Sequence, residues 1–159
     1  MAYTKRLLLQ PILLITLLML VSGVPMAIGK TFVLCSPFAG TAITGDGEPA
    51  AGVEVERQWT WGWNDESGSD RTVTDAQGRF SFPVVEGSSF TASFLPHEPH
   101  VSQRIIAHTK NGDVEIWFAA KRSYELNSEM DGRPTKVICN LDREPSDAGL
   151  YWGTCVEDK

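Results

Sequence analysis

An all-β sandwich is the fold this sequence predicts, and three observations predict it. From Phe38 onward, apolar residues recur at every second position in short runs, as they do on the half-buried face of a strand. Clusters of Gly, Pro, Asn and Asp separate those runs at the spacing of turns. No stretch repeats apolar residues at i, i+3 and i+4 over the length of a helix, and only Ala119 to Glu129 has room for a helical turn or two. The 159 residues suffice for one core and fall short of two ordinary ones. The expected form is therefore a single antiparallel sandwich over 30–126, with a C-terminal extension, 127–159, packed on it.

The chain opens on a tripartite leader. Lys5 and Arg6 supply positive charge, Leu7 to Val21 is an apolar run, and small residues follow up to Ala27-Ile28-Gly29. Cleavage is expected after Gly29, with Gly23 as the alternative site, which places the domain in the periplasm or outside the cell. An uncleaved anchor is the competing reading, since Leu7 to Met26 is long enough to span a bilayer. Pro11 and the short uninterrupted run Ile12 to Val21 favour removal. Cys35 follows Phe32-Val33-Leu34 and lacks the small residue that lipid attachment requires. Removing 1–29 leaves 12 Lys and Arg against 20 Asp and Glu, an acidic balance that excludes a nucleic-acid binder.

Phe38, Gly40 and Ala42 share one face of a first strand, which Gly45 to Pro49 turns back. Val53 and Val55 resume the period of two, and it continues through Arg57, Trp59, Trp61 and Trp63. Asn64 to Asp70 is polar and acidic and reads as an exposed loop. Val73 then leads into the turn that organises the rest. The Asp75 carboxylate can accept backbone N–H groups just ahead of it, and Gly78 can adopt a positive φ, so the chain reverses into a strand with Phe80 and Phe82 on one face. Phe90, Ala92 and Phe94 are expected as the next strand, closed by Pro96 and Pro99. Ile105 and Ala107 mark another. Asn111-Gly112 is a hairpin turn, after which Val114, Ile116 and Phe118 should face the core while Glu115 and Trp117 face outward. Val137, Cys139 and Leu141 form a later strand, and Leu150 to Thr154 the last.

Three cysteines follow the leader: Cys35, Cys139 and Cys155. In an oxidising compartment Cys139 with Cys155 is the local pair, closing a segment that holds the turn residues Pro145, Asp147 and Gly149. Cys35 could replace either partner.

Phe38 to Val55, followed by Thr74 to Phe82, resembles the carboxypeptidase regulatory-like domains. Gly40, Pro49, Gly52, Val53 and Val55 would occupy their first hairpin, and Asp75, Gly78 and Phe80 their second. The resemblance implies a seven-stranded antiparallel sandwich of transthyretin-like, Greek-key topology and a non-catalytic accessory or surface role. Ser128 to Leu141 departs from that pattern and resembles the ending of a small group of bacterial envelope proteins without assigned activity.

Trp59, Trp61 and Trp63 stand at i, i+2 and i+4 on one strand face. They continue the face of Val53 and Val55, so they either cap the core or, next to Gly62 and the acidic segment, form a contact surface. With Asp65, Glu66 and Asp70 as an acidic rim, they are the candidate binding residues. An envelope protein is the first expected partner, in one form the target of an inhibitor or immunity protein; a glycan stacked on the indoles is the second. His97-Glu98-Pro99-His100, His108, Tyr124 and Tyr151 are metal-ligand residue types without metal-ligand spacing, so no cofactor is expected. Asp65, Glu66 and Asp70 sit in a solvated segment that cannot raise a carboxyl pKa by burial, and no nucleophile elbow or phosphate loop is present. The expectation is a non-catalytic exported binding module that meets the membrane only through an uncleaved leader.

Overall fold

The computed structural model describes residues 29–147 and 151–158. The leader, and the expected strand start at Leu150, lie outside them. The expected β-sandwich is present. The strands are β1 (Lys30–Cys35), β2 (Phe38–Ile43), β3 (Glu54–Trp61), β4 (Glu66–Val73), β5 (Arg79–Phe82), β6 (Val85–Ser89), β7 (Val101–Thr109), β8 (Gly112–Lys121), β9 (Thr135–Asn140), β10 (Trp152–Gly153) and β11 (Cys155–Glu157). A five-residue helix, α1 (Phe90–Phe94), follows β6, and a 3-10 turn covers Ser128–Met130. A five-stranded sheet, β10-β8-β7-β3-β4, faces a four-stranded sheet, β11-β9-β2-β5, and β1 pairs with β6 apart from both. All pairings are antiparallel except β2 with β9, which is parallel.

The alternating residues of both sheets meet in one core. Phe38, Ala42, Phe80, Phe82, Val137 and Cys139 come from the four-stranded sheet, and Val55, Ile105, Ala107, Ile116 and Trp117 from the other. A second cluster lies under the β1–β6 pair, where Phe32, Leu34, Trp61, Ala92 and Val101 are buried. Period-two patterning thus produces two cores, because the long strands β3 and β7 run past the four-stranded sheet and need a second cover.

The organising turn forms as expected. Gly78 N–H donates to Asp75 O at 2.9 Å, Gly78 has φ +74°, and Asp75 Oδ1 accepts from the backbone N–H groups of Gln77 and Arg79, both at 2.9 Å. Those bonds from Arg79 and Gln77 hold the Asp75 carboxyl below its ordinary pKa, the Arg79 backbone bond contributing most. A Cβ on Gly78 would lie 2.3 Å from Ala42 O. Gly78→Ala therefore meets both a left-handed backbone and a clash with β2, and is expected to cost about 2 kcal/mol or more, measured as the shift of the urea midpoint.

Four expectations are corrected. Asn64 to Asp70 is not a loop: a tight turn at Asn64 and Asp65 hands the chain to β4, whose Glu66 to Asp70 pair with Trp61 to Arg57. Phe90, Ala92 and Phe94 do not alternate across a strand. Ser89 caps a helix there, its Oγ accepting from Ala92 N at 3.2 Å, so Phe90 and Phe94 stand at i, i+4 on one helix face. In β8 a bulge opposite Ile105 and Ile106 inserts one residue, pairing Ile105 with Trp117 and Ile106 with Glu115. Ile116 and Trp117 are consequently both buried, and Phe118 turns outward, because a one-residue slip reverses every later side chain. Finally, 127–159 is not an extension packed on a finished sandwich, since it supplies β9 and β11, half of the four-stranded sheet.

Cys139 and Cys155 stand directly opposite each other on β9 and β11 and are disulfide-bonded. Cys35 is free and buried, and burial pushes its thiol pKa up to about 12. Replacing both bonded cysteines with serine is expected to cost about 3 kcal/mol on the chain-entropy account, read by comparing thermal unfolding of the oxidised parent and the double variant.

Candidate contact surfaces

The three tryptophans share a face and differ in fate. Trp61 is 0% exposed, so it is a core residue and is withdrawn from the candidate contact set. Its Nε1–H donates to Tyr124 Oη at 2.8 Å, and Tyr124 Oη lies 2.9 Å from His97 Nε2. His97 Nδ1 is 3.0 Å from Leu95 O, which can only accept. Nδ1 therefore carries the proton of the neutral ring, Nε2 accepts from the tyrosine, and one directed chain runs from Trp61 through Tyr124 and His97 to the backbone. Trp59 and Trp63 are half-buried against the same cluster. Trp63 Nε1–H reaches both Ser89 Oγ and Thr91 Oγ1 at 3.2 Å, and its ring lies 4.3 Å from that of His97, so this indole fastens α1 to the β3–β4 turn.

The acidic rim also divides. Asp65 and Glu66 are exposed in the turn and at the start of β4. Asp70 is not a free rim carboxylate: it is the counterion of Arg57, which stands directly across the β3–β4 pair. Arg57 is 0% exposed. Its Nε and Nη2 donate to the two Asp70 oxygens at 3.0 and 2.6 Å, Nη2 also to Pro83 O at 2.9 Å, and its guanidinium lies 4.9 Å from the Phe82 ring centroid. A second buried pair is close by. Lys121 Nζ is 3.2 Å from Glu129 Oε1, with both side chains nearly inaccessible, and the Glu129 carboxylate also accepts from Ser36 N (2.9 Å) and Ser36 Oγ (2.6 Å). Burial alone would raise the Glu129 pKa; the two Ser36 bonds and the Lys121 charge outweigh it and hold the carboxyl below its ordinary value. Arg57 also reaches Ser36 O at 3.4 Å, so both ion pairs converge on the residue joining β1 to β2. This polar seam lies between the two apolar clusters, enclosed except at Asp70, whose side chain is 29% exposed.

Sequence reasoning passed over Arg57, Lys121 and Glu129. Arg57 carried a signal, since a charge within the inward series Val55, Trp59 and Trp61 requires a counterion on the neighbouring strand. Lys121 carried none, because only the β8 bulge turns it inward.

The outer faces of the two sheets differ in kind. On the five-stranded sheet, Arg71 pairs with Glu54 (2.8 Å) and Glu56 (3.2 Å), Arg104 with Glu115 (2.5 Å), and His108 bridges Asp113 (2.8 Å) and Glu56 (3.2 Å). Hydrogen bonding to Asp113, and then to Glu56, raises the His108 pKa above its ordinary value despite partial desolvation. On the four-stranded sheet the outward side chains are Ala39, Thr41, Ser81, Ile138 and Val156, with Arg79 directly across from Thr41 and Lys136 directly across from Ala39. A shallow groove of about 350 Å3 runs over Ala39, Thr41 and Ser81 and continues past Lys136 into an apolar hollow of about 320 Å3 at Pro37, Leu126 and Pro134. Among the described residues no three His, Cys, Asp or Glu side chains are grouped to hold a metal ion, and His97, His100 and His108 are not brought together as ligands.

A family model described as a domain of unknown function, DUF6795, matches residues 39–144, two thirds of the chain, and crosses the boundary expected at 126. No curated protein matches the sequence.

Proposed function

We propose, for a chain that belongs to the DUF6795 family and takes no activity from that membership, a non-catalytic binding module of the bacterial envelope that works by protein–protein contact. The observation that carries the reading is the contrast between the two outer faces. An antiparallel sheet with one solvated face should present polar side chains there, and the five-stranded sheet does so with a lattice of ion pairs. The four-stranded sheet instead sets small and branched side chains together with Asp75, Arg79, Lys136 and Asp158 in one shallow groove, the mixture of apolar and charged groups that protein interfaces use. Protein contact through this face replaces the tryptophan stripe. Glycan stacking receives less support, because it needs a row of presented indoles and Trp61 interrupts that row. The sandwich, with its Asp75 to Gly78 turn, supports kinship with the carboxypeptidase regulatory-like accessory modules, and the Cys139–Cys155 disulfide supports an oxidising, exported location.

The test is capture from an envelope extract by three immobilised forms: the parent, an Ala39→Arg/Ser81→Arg variant on the proposed face, and a Thr60→Arg variant on the opposite one. All three positions are exposed, so the fold survives, as circular dichroism will verify. A protein held by the parent and by Thr60→Arg but lost from the double variant supports the reading. Retention by all three overturns the choice of face, and no retained protein at all overturns the protein-contact reading.

A further inference from the structure

Eight large apolar side chains are exposed among the described residues, and three of them, Phe90 (59%), Phe94 (70%) and Leu95 (55%), fall within six positions. The other five are dispersed over separate parts of the fold, where single exposed apolar residues need no explanation. The three are also held in place. Phe90 and Phe94 stack at 4.9 Å on one face of α1, Ser89 caps the helix, Trp63 bonds its first turn, and only Ala92 points into the core. A rigid tip with its large side chains aimed at solvent is built to meet something apolar.

The covalent path of the chain says what that is. Residues 1–28 reach the domain at Gly29, which lies against the backbone of Ser89 and Phe90, and Lys30 N–H donates to Ser93 Oγ of α1 at 2.8 Å. The apolar run Leu7 to Val21 is thus tied to the α1 tip itself. Eight residues lie between Val21 and Lys30, at most about 30 Å of extended chain. When that run is retained and lies in a bilayer, α1 is the element beside its point of attachment and is held within that reach of the lipid. The ion-pair lattice lies elsewhere, on the outer face of the five-stranded sheet.

We propose that Phe90, Phe94 and Leu95 seat the domain on the surface of a lipid bilayer, inserting into the interfacial layer at the point where the leader enters it. The contact is apolar rather than electrostatic, because the chain carries an excess of acidic residues. It therefore requires no anionic lipid and is insensitive to salt. It is independent of the outer face assigned to protein contact, and either reading can fail without the other.

The experiment uses the full chain in vesicles of zwitterionic lipid carrying a quencher at a known acyl depth. Phe94→Cys is labelled with a polarity-sensitive fluorophore; Cys35, buried and with its pKa near 12, stays unlabelled. Val73→Cys, on the free edge strand β4, is the reference. The expected result is strong lipid quenching at 94, unchanged between low and high salt, with none at 73. Quenching at 94 no greater than at 73 overturns the proposal, as does a label at 94 that is shielded from aqueous quencher but untouched by the lipid one, which would mean that protein covers the tip. A second readout avoids the leader: the form recovered after export, if processed, should float with vesicles, and Phe90→Ser/Phe94→Ser/Leu95→Ser should reduce its partitioning by at least about tenfold. Equal flotation of both forms also overturns it.

Discussion

Asp70→Ala is expected to lower stability by about 3–5 kcal/mol, a third or more of what a domain of this size has. The reason is the state in which it leaves Arg57. The guanidinium keeps its bonds to Pro83 O and Ser36 O and its place on Phe82, yet it is itself buried and has lost its countercharge. Arg57→Met paired with Asp70→Leu should recover most of the loss, since exchanging a buried ion pair for apolar groups of similar volume is often neutral. Urea unfolding of Arg57→Met, Asp70→Leu and the double completes a mutant cycle, and equal losses from Asp70→Ala and the double variant would show that the side chain matters for its packing and not its charge.

Glu129→Gln is the second large effect, about 3 kcal/mol. The amide keeps one acceptor oxygen of the two that Ser36 N and Ser36 Oγ use, so the loss combines the charge that faces Lys121 with one hydrogen bond from Ser36. The variant should also change the pH dependence in a definite direction. The folded-state Glu129 pKa lies below its unfolded value, so its contribution is present above the ordinary glutamate range and is lost as pH falls through the lower folded value. The gap between parent and variant curves should therefore be constant above about pH 5 and close as the pH falls through the lower folded value. Parallel curves would remove Glu129 from the acid response. His108 acts with the opposite sign: its raised pKa stabilises the fold below the ordinary histidine range, and the contribution fades as pH rises through the folded value.

The strand faces of β2, β5, β7 and β9 were legible because each follows a strict period of two bounded by turn residues, and a strand so patterned has one way to hide its apolar side. The reading failed where a local device broke the count. Ser89 converts a period-two series into a capped helix, and the β8 bulge exchanges Trp117 for Phe118. Neither device has a residue-type signature strong enough to outweigh the alternation around it. The candidate site suffered most. Trp61, the centre of the predicted stripe, is the most enclosed indole in the second cluster, because β1 and β6 fold over it from sequence positions far from β3.

By itself the sequence determined that this chain is a β-sandwich and where its central turn lies, since each depends on residues that are neighbours along the chain or share one strand face; it made Cys139 and Cys155 the local pair, and the structure decided between that pair and Cys35. Only the tertiary structure decided which charges are buried, which sheet face carries the ion-pair lattice, and that Phe90, Phe94 and Leu95 remain uncovered beside Gly29. Exposure is a property of what lies across from a residue, and what lies across from Arg57, Trp61 and α1 is set by the register of strands, a bulge and a helix cap, none of which the alternation of apolar residues encodes.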